Sequence, residues 1–339
     1  MDFNDVMKKA AGSMGHCRAC PVCNGVACKN EIPGPGAKGA GDTAMLNYSR
    51  WQSVRINMDT ICEGGSADTS FELFGKKFSA PIFAGPVGAV ASHYSDKYDD
   101  ASYNDALVSG CARAGIAAFT GDGLDSSVME KATRAIAAEN GIGIPTVKPW
   151  NMELIREKLK LVRSCGAFAV AMDIDAAGLP FLKGMTPPAG SKTASDLSEI
   201  KKAAGIPFIA KGIMTVKGAI KALDAGVDAI IVSNHGGRVL DGCAATCDVL
   251  PEIAEAVGGR IPVLVDGGIR TGTDVFRALA LGADAVLIAR PFVCAVYGGG
   301  AEGAALYAEK LRGELADTME MCGIHKLSEI DSSCVRLQA

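Results

Sequence analysis

The 339-residue sequence lacks long apolar runs and an excess of basic charge. No apolar run approaches the roughly 20 residues that cross a bilayer, and no hydrophobic leader segment is evident, so we expect a cytoplasmic protein outside any membrane. The formal net charge is −4 and no basic face stands out, which argues against a nucleic-acid partner. Hydrophobic residues (48%) and glycines (41) are abundant instead, as in a large core with many tight turns.

Short apolar segments recur along most of the chain and predict buried strands. There are eight of them: Ala80–Gly85, Ala117–Thr120, Gly143–Val147, Phe168–Ile174, Phe208–Lys211, Ala229–Ser233, Val263–Asp266 and Ala285–Ile288. The intervening segments have helical periodicity, with Asn151 and Thr215 as predicted N-caps. Eight strand–helix units in series predict a (β/α)₈ TIM barrel, whereas a doubly wound open sheet would not need so many equal units.

The chain before the barrel is predicted to form an N-terminal Cys-rich extension. Residues 1–79 make up this extension, and residues 80–339 the barrel with its terminal helices. Within the extension we expect a helix over Phe3–Met14, then a helix and an extended arm over Asn47–Ile61. A hairpin over Thr69–Phe78 is expected to plug the bottom of the barrel.

The stretch Ala229–Gly242 concentrates reactive side chains at the end of a buried strand. His235 is able to take and return a proton near neutral pH. Arg238, three residues later, presents a donor fork that matches a carboxylate. We expect Gly236 and Gly237 to let the backbone approach a ligand closely. This combination predicts chemistry on the carbon atom beside a carboxylate.

With three further strand ends, this turn resembles the FMN-dependent α-hydroxy acid oxidase and dehydrogenase family. The series KG…SNHGGR…DGGIR…ARP, which begins at Lys211 and ends at Pro291, carries the resemblance. It implies an FMN-binding barrel, a small 2-hydroxy acid as substrate, and O₂ or another electron acceptor as second reactant. We also expect a homo-oligomer, either a tetramer or an octamer.

The resemblance implies roles for the matching positions. His235 is the expected base, Asp175 the carboxylate that orients it, and Arg238 the clamp that holds the substrate carboxylate beside His235. Lys211 is expected near flavin N1 and the C2 carbonyl, where a cation stabilises the reduced flavin. The other expected cofactor contacts are Pro86, Val87, Gly88, Gly121, Ser233, Asp266, Gly267, Gly268, Arg270, Ala289 and Arg290. Hydride transfer and α-proton removal both use the same histidine, so the order of steps stays open.

Several positions depart from the family pattern. The tyrosine expected at the third strand end is replaced within Pro145–Lys148, and a ring-contacting threonine becomes Asp173. The second substrate arginine has no match, although Lys183 falls nearby. Lys183 belongs to the longest connection, Ala176–Leu197, which is either a mobile lid or a surface loop without function. These departures predict a rebuilt substrate cage around unchanged flavin and proton-transfer machinery.

Residues 16–41, here called the Cys-rich loop, contain four of the twelve cysteines. Cys17, Cys20, Cys23 and Cys28 have the spacing C-x₂-C-x₂-C-x₄-C, which suits a [4Fe–4S] cluster or, less naturally, zinc. A loop without metal is the third possibility. The loop replaces a tyrosine-bearing segment that covers the flavin in the family, so we expect it to border the active site.

Three functions fit these features. The first is the FMN-dependent oxidation of a small 2-hydroxy acid. The second is a 2-oxo acid reductase, or a dehydrogenase, that exchanges electrons through an iron–sulfur cluster in the Cys-rich loop. The third is a flavin-free barrel that binds a ligand without catalysis, and a colourless purified protein would indicate it.

Overall fold

The structure, a computed structural model, describes residues 2–179, 182 and 189–337. Helices and strands follow in this order: α1 Phe3–Ala11, α2 Asp42–Ser53, β1 Val54–Ile56, β2 Phe71–Leu73, β3 Lys76–Phe78, β4 Ile82–Ala84, α3 Val90–His93, α4 Asp100–Arg113, β5 Ala117–Thr120, α5 Ser127–Ala138, β6 Ile144–Val147, α6 Met152–Ser164, β7 Val170–Asp173, α7 Ala194–Ala204, β8 Phe208–Ile213, α8 Val216–Asp224, β9 Ala229–Val232, α9 Thr246–Val257, β10 Val263–Val265, α10 Gly272–Ala280, β11 Ala285–Ile288, α11 Arg290–Glu320 and β12 Val335–Leu337. Short 3₁₀ turns over Ile174–Gly178 and His235–Gly237 directly follow β7 and β9. None of the described helices is both long enough and apolar enough to cross a membrane.

Strands β4 to β11 are parallel and form a closed barrel in sequence order, with β11 pairing back onto β4. The predicted (β/α)₈ architecture is confirmed. Strands β5 and β11 have the predicted bounds, and the other six differ from prediction by at most two residues. The strand residues are almost all buried because the barrel interior covers one face and the surrounding helices cover the other.

Alternate side chains along the strands fill the barrel interior, and the β2–β3 hairpin closes its bottom. Inside the barrel, the rings of Phe83 and Phe119 pack edge to face with 5.8 Å between centroids. From the hairpin, Phe78 packs against Phe83 at 5.1 Å and against Phe168, just before β7, at 5.8 Å. These contacts lie at the amino ends of the strands and confirm the predicted plug.

The predicted helix N-caps are present. Asn151 Oδ1 accepts a hydrogen bond from the Leu154 N–H at 3.1 Å, at the start of α6. Thr215 Oγ1 accepts one from the Gly218 N–H at 3.0 Å, at the start of α8. Each cap pairs an otherwise unsatisfied donor of the first helical turn, which sets the residue where the helix begins.

The N-terminal segment packs directly on the barrel. Phe3 of α1 stacks on Tyr307 of α11 with 5.0 Å between ring centroids. Strand β1 pairs antiparallel with β12, close to the end of the described chain. Between α1 and α2, residues 12–41 contain neither helix nor strand. The division into an extension and a barrel domain at residue 79 stays a prediction.

The predicted lid, Ala176–Leu197, is described only towards its two ends. Its first residues continue the 3₁₀ turn that contains Asp175. Its last residues are helical, because Thr193 caps α7 and accepts a hydrogen bond from the Asp196 N–H. The prediction of an irregular loop up to Leu197 is therefore wrong at this end. The candidate Lys183 lies outside the described residues.

Candidate active site

A cavity of about 860 Å³ opens at the carboxyl ends of the barrel strands. The strands are parallel, so all their carboxyl ends lie on this side, and side chains that are distant in sequence meet here. The volume falls in the range of roughly 300–1,000 Å³ that is common for small-molecule sites. The cavity therefore lies where the predicted site residues should meet.

All but two of the predicted site residues line this cavity. They are Pro86, Val87, Gly88, Gly121, Lys211, His235, Arg238, Asp266, Gly267, Gly268, Arg270, Ala289 and Arg290. Of the described residues predicted for the site, Asp175 and Ser233 stand behind the wall. The sequence predicts a ring contact for Ser233, but this side chain is buried and its Oγ accepts the His235 N–H at 3.1 Å. The structure thus gives Ser233 a role in holding the turn.

His235 faces the cavity with its orientation set by Asp175. The two side chains come from 3₁₀ turns after different strands, and His235 Nδ1 lies 3.0 Å from Asp175 Oδ1. An ionised carboxylate only accepts hydrogen bonds, so Nδ1 donates and Nε2 is left to take up a proton. His235 has a φ of +55°, a backbone strain that the surrounding turn must maintain.

Helix α2 holds this strained turn in place. Asn47 of α2 and Asn234 exchange side-chain hydrogen bonds of 2.8 and 2.9 Å, and both residues are buried. Asn234 Oδ1 also accepts the Gly236 N–H at 3.1 Å. The turn that contains His235 is therefore fixed by a helix almost two hundred residues away in sequence.

Gly236 and Gly237 make room for neighbouring protein groups. A Cβ on Gly236 would lie 2.7 Å from Arg290 Nη2, and one on Gly237 would lie 3.1 Å from the Cβ atoms of Ala37 and Thr43. Both glycines have positive φ, 62° and 78°. Gly236 also lines the cavity, and the expectation that these glycines let the backbone approach a ligand stays a prediction.

Four charged side chains form a buried network beside His235. Lys211 Nζ lies 3.1 Å from Asp173 Oδ1 and 3.5 Å from Asp266 Oδ2, and Lys148 Nζ lies 3.7 Å from Asp173 Oδ2. Burial opposes the charge of Lys211, but the carboxylates outweigh it and raise the pKa of Lys211. Burial likewise opposes ionisation of Asp173, but the neighbouring cations, Lys211 first, hold the pKa of Asp173 well below its usual range. Lys211 and Asp173 are thus both charged at the centre of this network.

One group of described side chains has the composition of a metal site. Asp173, Asp175 and His235 each place a ligand atom within 4.8 Å of the others. Their partners favour another role, since Lys211 already supplies positive charge next to Asp173 and Asp175 is bound to His235. We therefore treat the three residues as parts of an acid–base and ion-pair network.

Arg238 lines the cavity and at the same time anchors the Cys-rich loop. Its Nη1 donates to the carbonyl oxygens of Gly34 at 2.7 Å and Gly36 at 2.6 Å. Burial lowers the pKa of Arg238, although a guanidinium stays charged in proteins. In the described part of the chain one nitrogen makes both bonds, which leaves Nη2 for a substrate carboxylate. The predicted clamp is therefore partly engaged by the protein.

The predicted phosphate end of the site contains an unsatisfied cation. Arg290 is half-buried in the wall, and among the described residues its buried Nη1 has no hydrogen-bond partner. A buried charged donor without a partner is costly, so this position suits an anionic ligand group. Arg270 is less available, because Nε donates to the Cys23 carbonyl at 2.8 Å and Nη1 to the Ile269 carbonyl at 2.6 Å. Of the two predicted arginines, Arg290 is the one with a buried nitrogen left unpaired among the described residues.

The Cys-rich loop borders the cavity, as predicted. Ile32–Pro35 form part of the wall, and the Cys28 thiol, which donates to the Gly25 carbonyl at 3.9 Å, lies near Arg290. Nearby, Cys17 Sγ lies 3.9 Å from Cys294 Sγ in the first turn of α11. This contact with the Cys294 thiol lowers the pKa of Cys17 to about 7. The loop thus covers the end of the cavity at which Arg290 lies.

The thiols of this loop lie close enough to influence one another. Burial raises the pKa of Cys20, and the charges of Cys23 and Cys17 raise it further. Burial also raises the pKa of Cys28, Arg290 opposes this, and Cys23 and Cys17 again add to it. All four loop thiols are half-buried and free.

Two wall residues, His93 and Tyr94, were missed by the sequence reasoning. They follow β4 at the end of α3 and line the cavity near Arg238. His93 Nδ1 accepts the Gly34 N–H at 3.1 Å, and Tyr94 is buried. A polar aromatic pair just after the first barrel strand was the available signal. Tyr94 brings to this wall the residue type that the Cys-rich loop lacks.

The pKa of His93 predicts an acid-sensitive step in stability. Burial, then the charges of Arg238, Lys148 and His16, lowers the pKa of His93 to about 4. The unfolded chain takes up this proton near pH 6.5, so stability is full above that pH and falls as the pH drops towards 4. We expect His93 to account for a loss of up to about 2 kcal/mol in unfolding free energy between pH 7 and pH 5.

His93→Asn tests this, because its amide oxygen still accepts the Gly34 N–H. Denaturant unfolding of both proteins at pH 7 and pH 5 should show a smaller acid-induced loss in the variant. An equal loss in the two proteins contradicts the assignment.

The chain is similar in sequence to proteins of a known family. A family model described as FMN-dependent dehydrogenase matches residues 35–183 and 181–337. A peroxisomal (S)-2-hydroxyacid oxidase of Arabidopsis thaliana is 47% identical over 143 residues, 42% of this chain and 39% of that protein. An L-lactate oxidase of Lactobacillus jensenii is 43% identical over 142 residues, 42% of this chain and 35% of that protein. The matching segments therefore span well under half of these relatives.

Solved structures match over nearly the whole chain. A protein of Pediococcus acidilactici described as a lactate oxidase has a TM-score of 0.82 at 24% identity, covering 100% of this chain and 95% of its own. A mandelate oxidase variant has a TM-score of 0.74 at 26% identity, covering 91% and 95%. The likeness to the first structure establishes the barrel fold.

Proposed function

Because the chain belongs to the FMN-dependent dehydrogenase family, we propose that it oxidises a small 2-hydroxy acid to the 2-oxo acid with FMN. The observation that carries this proposal is the Asp175–His235 pair, 3.0 Å apart, with His235 in the cavity wall beside Arg238. The relatives bear names of hydroxy acid and lactate oxidases, which favours oxidation over a 2-oxo acid reductase. They equally disfavour a flavin-free binding module.

The cavity fits FMN because its charged side chains match the two ends of that cofactor. Arg290, with its unpaired Nη1, would hold the phosphate. Lys211, buried and charged, would lie at the flavin edge where reduction places negative charge. Pro86 and Val87 in the wall would contact the ring. When bound, FMN supplies the two-electron acceptor that no side chain can replace.

The chain's own residues position the substrate and move its proton. Arg238 would bind the carboxylate through Nη2, since its Nη1 is engaged with the loop carbonyls. This places the α-carbon near His235, whose Nε2 takes the proton released on oxidation. Asp175 then stabilises the imidazolium through Nδ1. The same histidine serves whether a hydride or a proton leaves the α-carbon.

The substrate cage is rebuilt around this pair. Asp173 stands where the resemblance leads us to expect a threonine, and Lys148 belongs to the stretch Pro145–Lys148 that replaces the expected tyrosine. The two side chains form an ion pair in the wall. Tyr94 adds a hydroxyl to the wall near Arg238. We infer that substrate preference differs from that of the named relatives, because the groups facing the substrate differ in charge.

We also propose an electron acceptor, a cellular compartment and an oligomeric state. O₂ or another electron acceptor would complete the reaction, and the protein would be a cytoplasmic homo-oligomer, a tetramer or octamer. All twelve cysteines, each within the described residues, are free, which supports a reducing compartment. Light scattering on the purified protein measures the oligomeric state.

An anaerobic absorption experiment tests the proposed function. Purified protein reconstituted with FMN should be yellow and should lose its flavin absorbance on addition of lactate, glycolate or mandelate. A protein that binds no FMN, or whose flavin no 2-hydroxy acid reduces, contradicts the proposal.

Arg290→Lys is expected to weaken FMN binding by about 10- to 100-fold, since a buried charge-assisted hydrogen bond is worth roughly 1.5–3 kcal/mol. Lysine keeps the charge but loses the planar fork that reaches the phosphate. Quenching of FMN fluorescence gives both dissociation constants. Arg336→Lys, on exposed β12, is the matched control and should bind as the unaltered protein does. Equal affinity for all three proteins would place the phosphate elsewhere.

A further inference from the structure

The Cys-rich loop carries four thiols that the proposed reaction does not use. We propose that Cys17, Cys20, Cys23 and Cys28 bind a [4Fe–4S] cluster. The four residues occupy twelve positions with the spacing C-x₂-C-x₂-C-x₄-C, and all are half-buried and free. A thiolate from each residue would bind one iron of the cluster.

The distances between the thiols distinguish a cluster from a single metal ion. Tetrahedral zinc with bonds of about 2.3 Å needs its sulfur ligands about 3.8 Å apart. Among the described residues, no three cysteine sulfurs lie within 4.8 Å of one another. This wider grouping suits thiolates that each bind a separate iron.

Cations and N–H donors around the Cys-rich loop compensate the negative charge that thiolate ligands would carry. Arg270 donates to the Cys23 carbonyl at 2.8 Å, and Arg290 lies near the Cys28 thiol. The Ala19 N–H points at Cys17 Sγ from 3.5 Å. Backbone N–H groups and cations next to the sulfur atoms stabilise and tune such clusters.

Contacts with the barrel hold the Cys-rich loop in place. It has no helix or strand between residues 12 and 41, and a segment of this length without regular structure is commonly functional. Arg238 fastens its far end through Gly34 and Gly36. Ala19 and Asn30 have positive φ, 42° and 59°, strain that a bound cluster would help to maintain.

The position of the Cys-rich loop suits electron transfer between the cofactor cavity and the protein surface. The loop lies against Arg290, at the phosphate end of the cavity, and its thiols are partly exposed to solvent. A cluster here would stand between the cofactor cavity and the surface and would carry one electron at a time. This use rests on the proposed function, whereas the metal site itself does not.

Metal analysis of anaerobically purified full-length protein tests the site. We expect about four iron and four sulfide per chain. Dithionite should add one electron to the cluster and produce the electron paramagnetic resonance signal of a reduced cluster. Zinc in place of iron, a Cys17–Cys294 disulfide without metal, or no iron after reconstitution with ferrous iron and sulfide each overturns the proposal.

Two serine variants provide the matched comparison. Cys20→Ser should lose most of the iron and the resonance signal, whereas Cys322→Ser, half-buried outside the loop, should keep both. Iron retained in the Cys20 variant overturns the assignment of ligands. The metal content of the unaltered chain stays decisive if a variant fails to fold. FMN content and flavin reduction are measured on the same samples, so iron without flavin chemistry refutes only the proposed function.

Discussion

Replacing His235 with glutamine is expected to leave FMN bound and to slow flavin reduction by a 2-hydroxy acid about 10²- to 10⁴-fold. Nε2 is the one ring nitrogen of His235 free to take a proton, because Nδ1 is bound to Asp175 at 3.0 Å. Glutamine fills a similar volume and forms hydrogen bonds but cannot accept a proton near neutral pH. Anaerobic stopped-flow measurement of the flavin absorbance gives the rate directly.

The Asp175→Asn variant distinguishes a positioned base from a general loss of packing. Asparagine still reaches Nδ1 but no longer stabilises the imidazolium, so we expect an intermediate loss of rate. His325→Gln, far from the cavity, is the matched control and should reduce its flavin at the native rate. Native flavin reduction by the His235 variant would show that another group takes the proton.

Replacing Asp122 with asparagine is expected to lower the free energy of unfolding by about 3–5 kcal/mol. Asp122 is buried, and its Oδ1 accepts Lys158 Nζ at 2.7 Å and the Gly123 N–H at 2.9 Å. Its Oδ2 accepts Trp150 Nε1 at 2.7 Å and the Lys148 N–H at 3.0 Å. The loss is large because the substitution leaves the buried ammonium of Lys158 without its counter-charge.

Denaturant or thermal unfolding measures this effect against two further variants. Asp105→Asn breaks an exposed pair with Arg134, 2.9 Å apart, and should change stability by less than about 1 kcal/mol. Adding Lys158→Met to the Asp122 variant removes the unpaired cation and should recover part of the loss. If Asp122→Asn costs no more than Asp105→Asn, the buried pair does not stabilise the fold.

The barrel could be predicted because its signals are local. Each strand is a short apolar run covered on both faces, and the helices begin at caps such as Asn151 that act within one turn. Parallel strands bring their carboxyl ends to one rim, so residues at or near the carboxyl ends of β8, β9 and β10 could be placed together from sequence. The motif residues Lys211, His235 and Asp266 all line the cavity for this reason.

The contacts that sequence reasoning missed join residues that are distant in sequence. Nothing near Gly236 reveals that Arg290 fills the space beside it, or that Asn47 fixes the turn through Asn234. The engagement of Arg238 with the Cys-rich loop joins residues more than two hundred positions apart.

By itself, the sequence determined the barrel, the family resemblance and the motif residues of the site, because strand patterns, caps and strand-end motifs are encoded within a few neighbouring residues. The tertiary structure alone decided how those residues are engaged. In the folded chain, one nitrogen of Arg238 donates to loop carbonyls, and Nη1 of Arg290 has no partner among the described residues. Asp173 is buried between two lysines. The physical reason is that hydrogen bonds and ion pairs depend on distances between atoms, and packing of remote segments sets these distances.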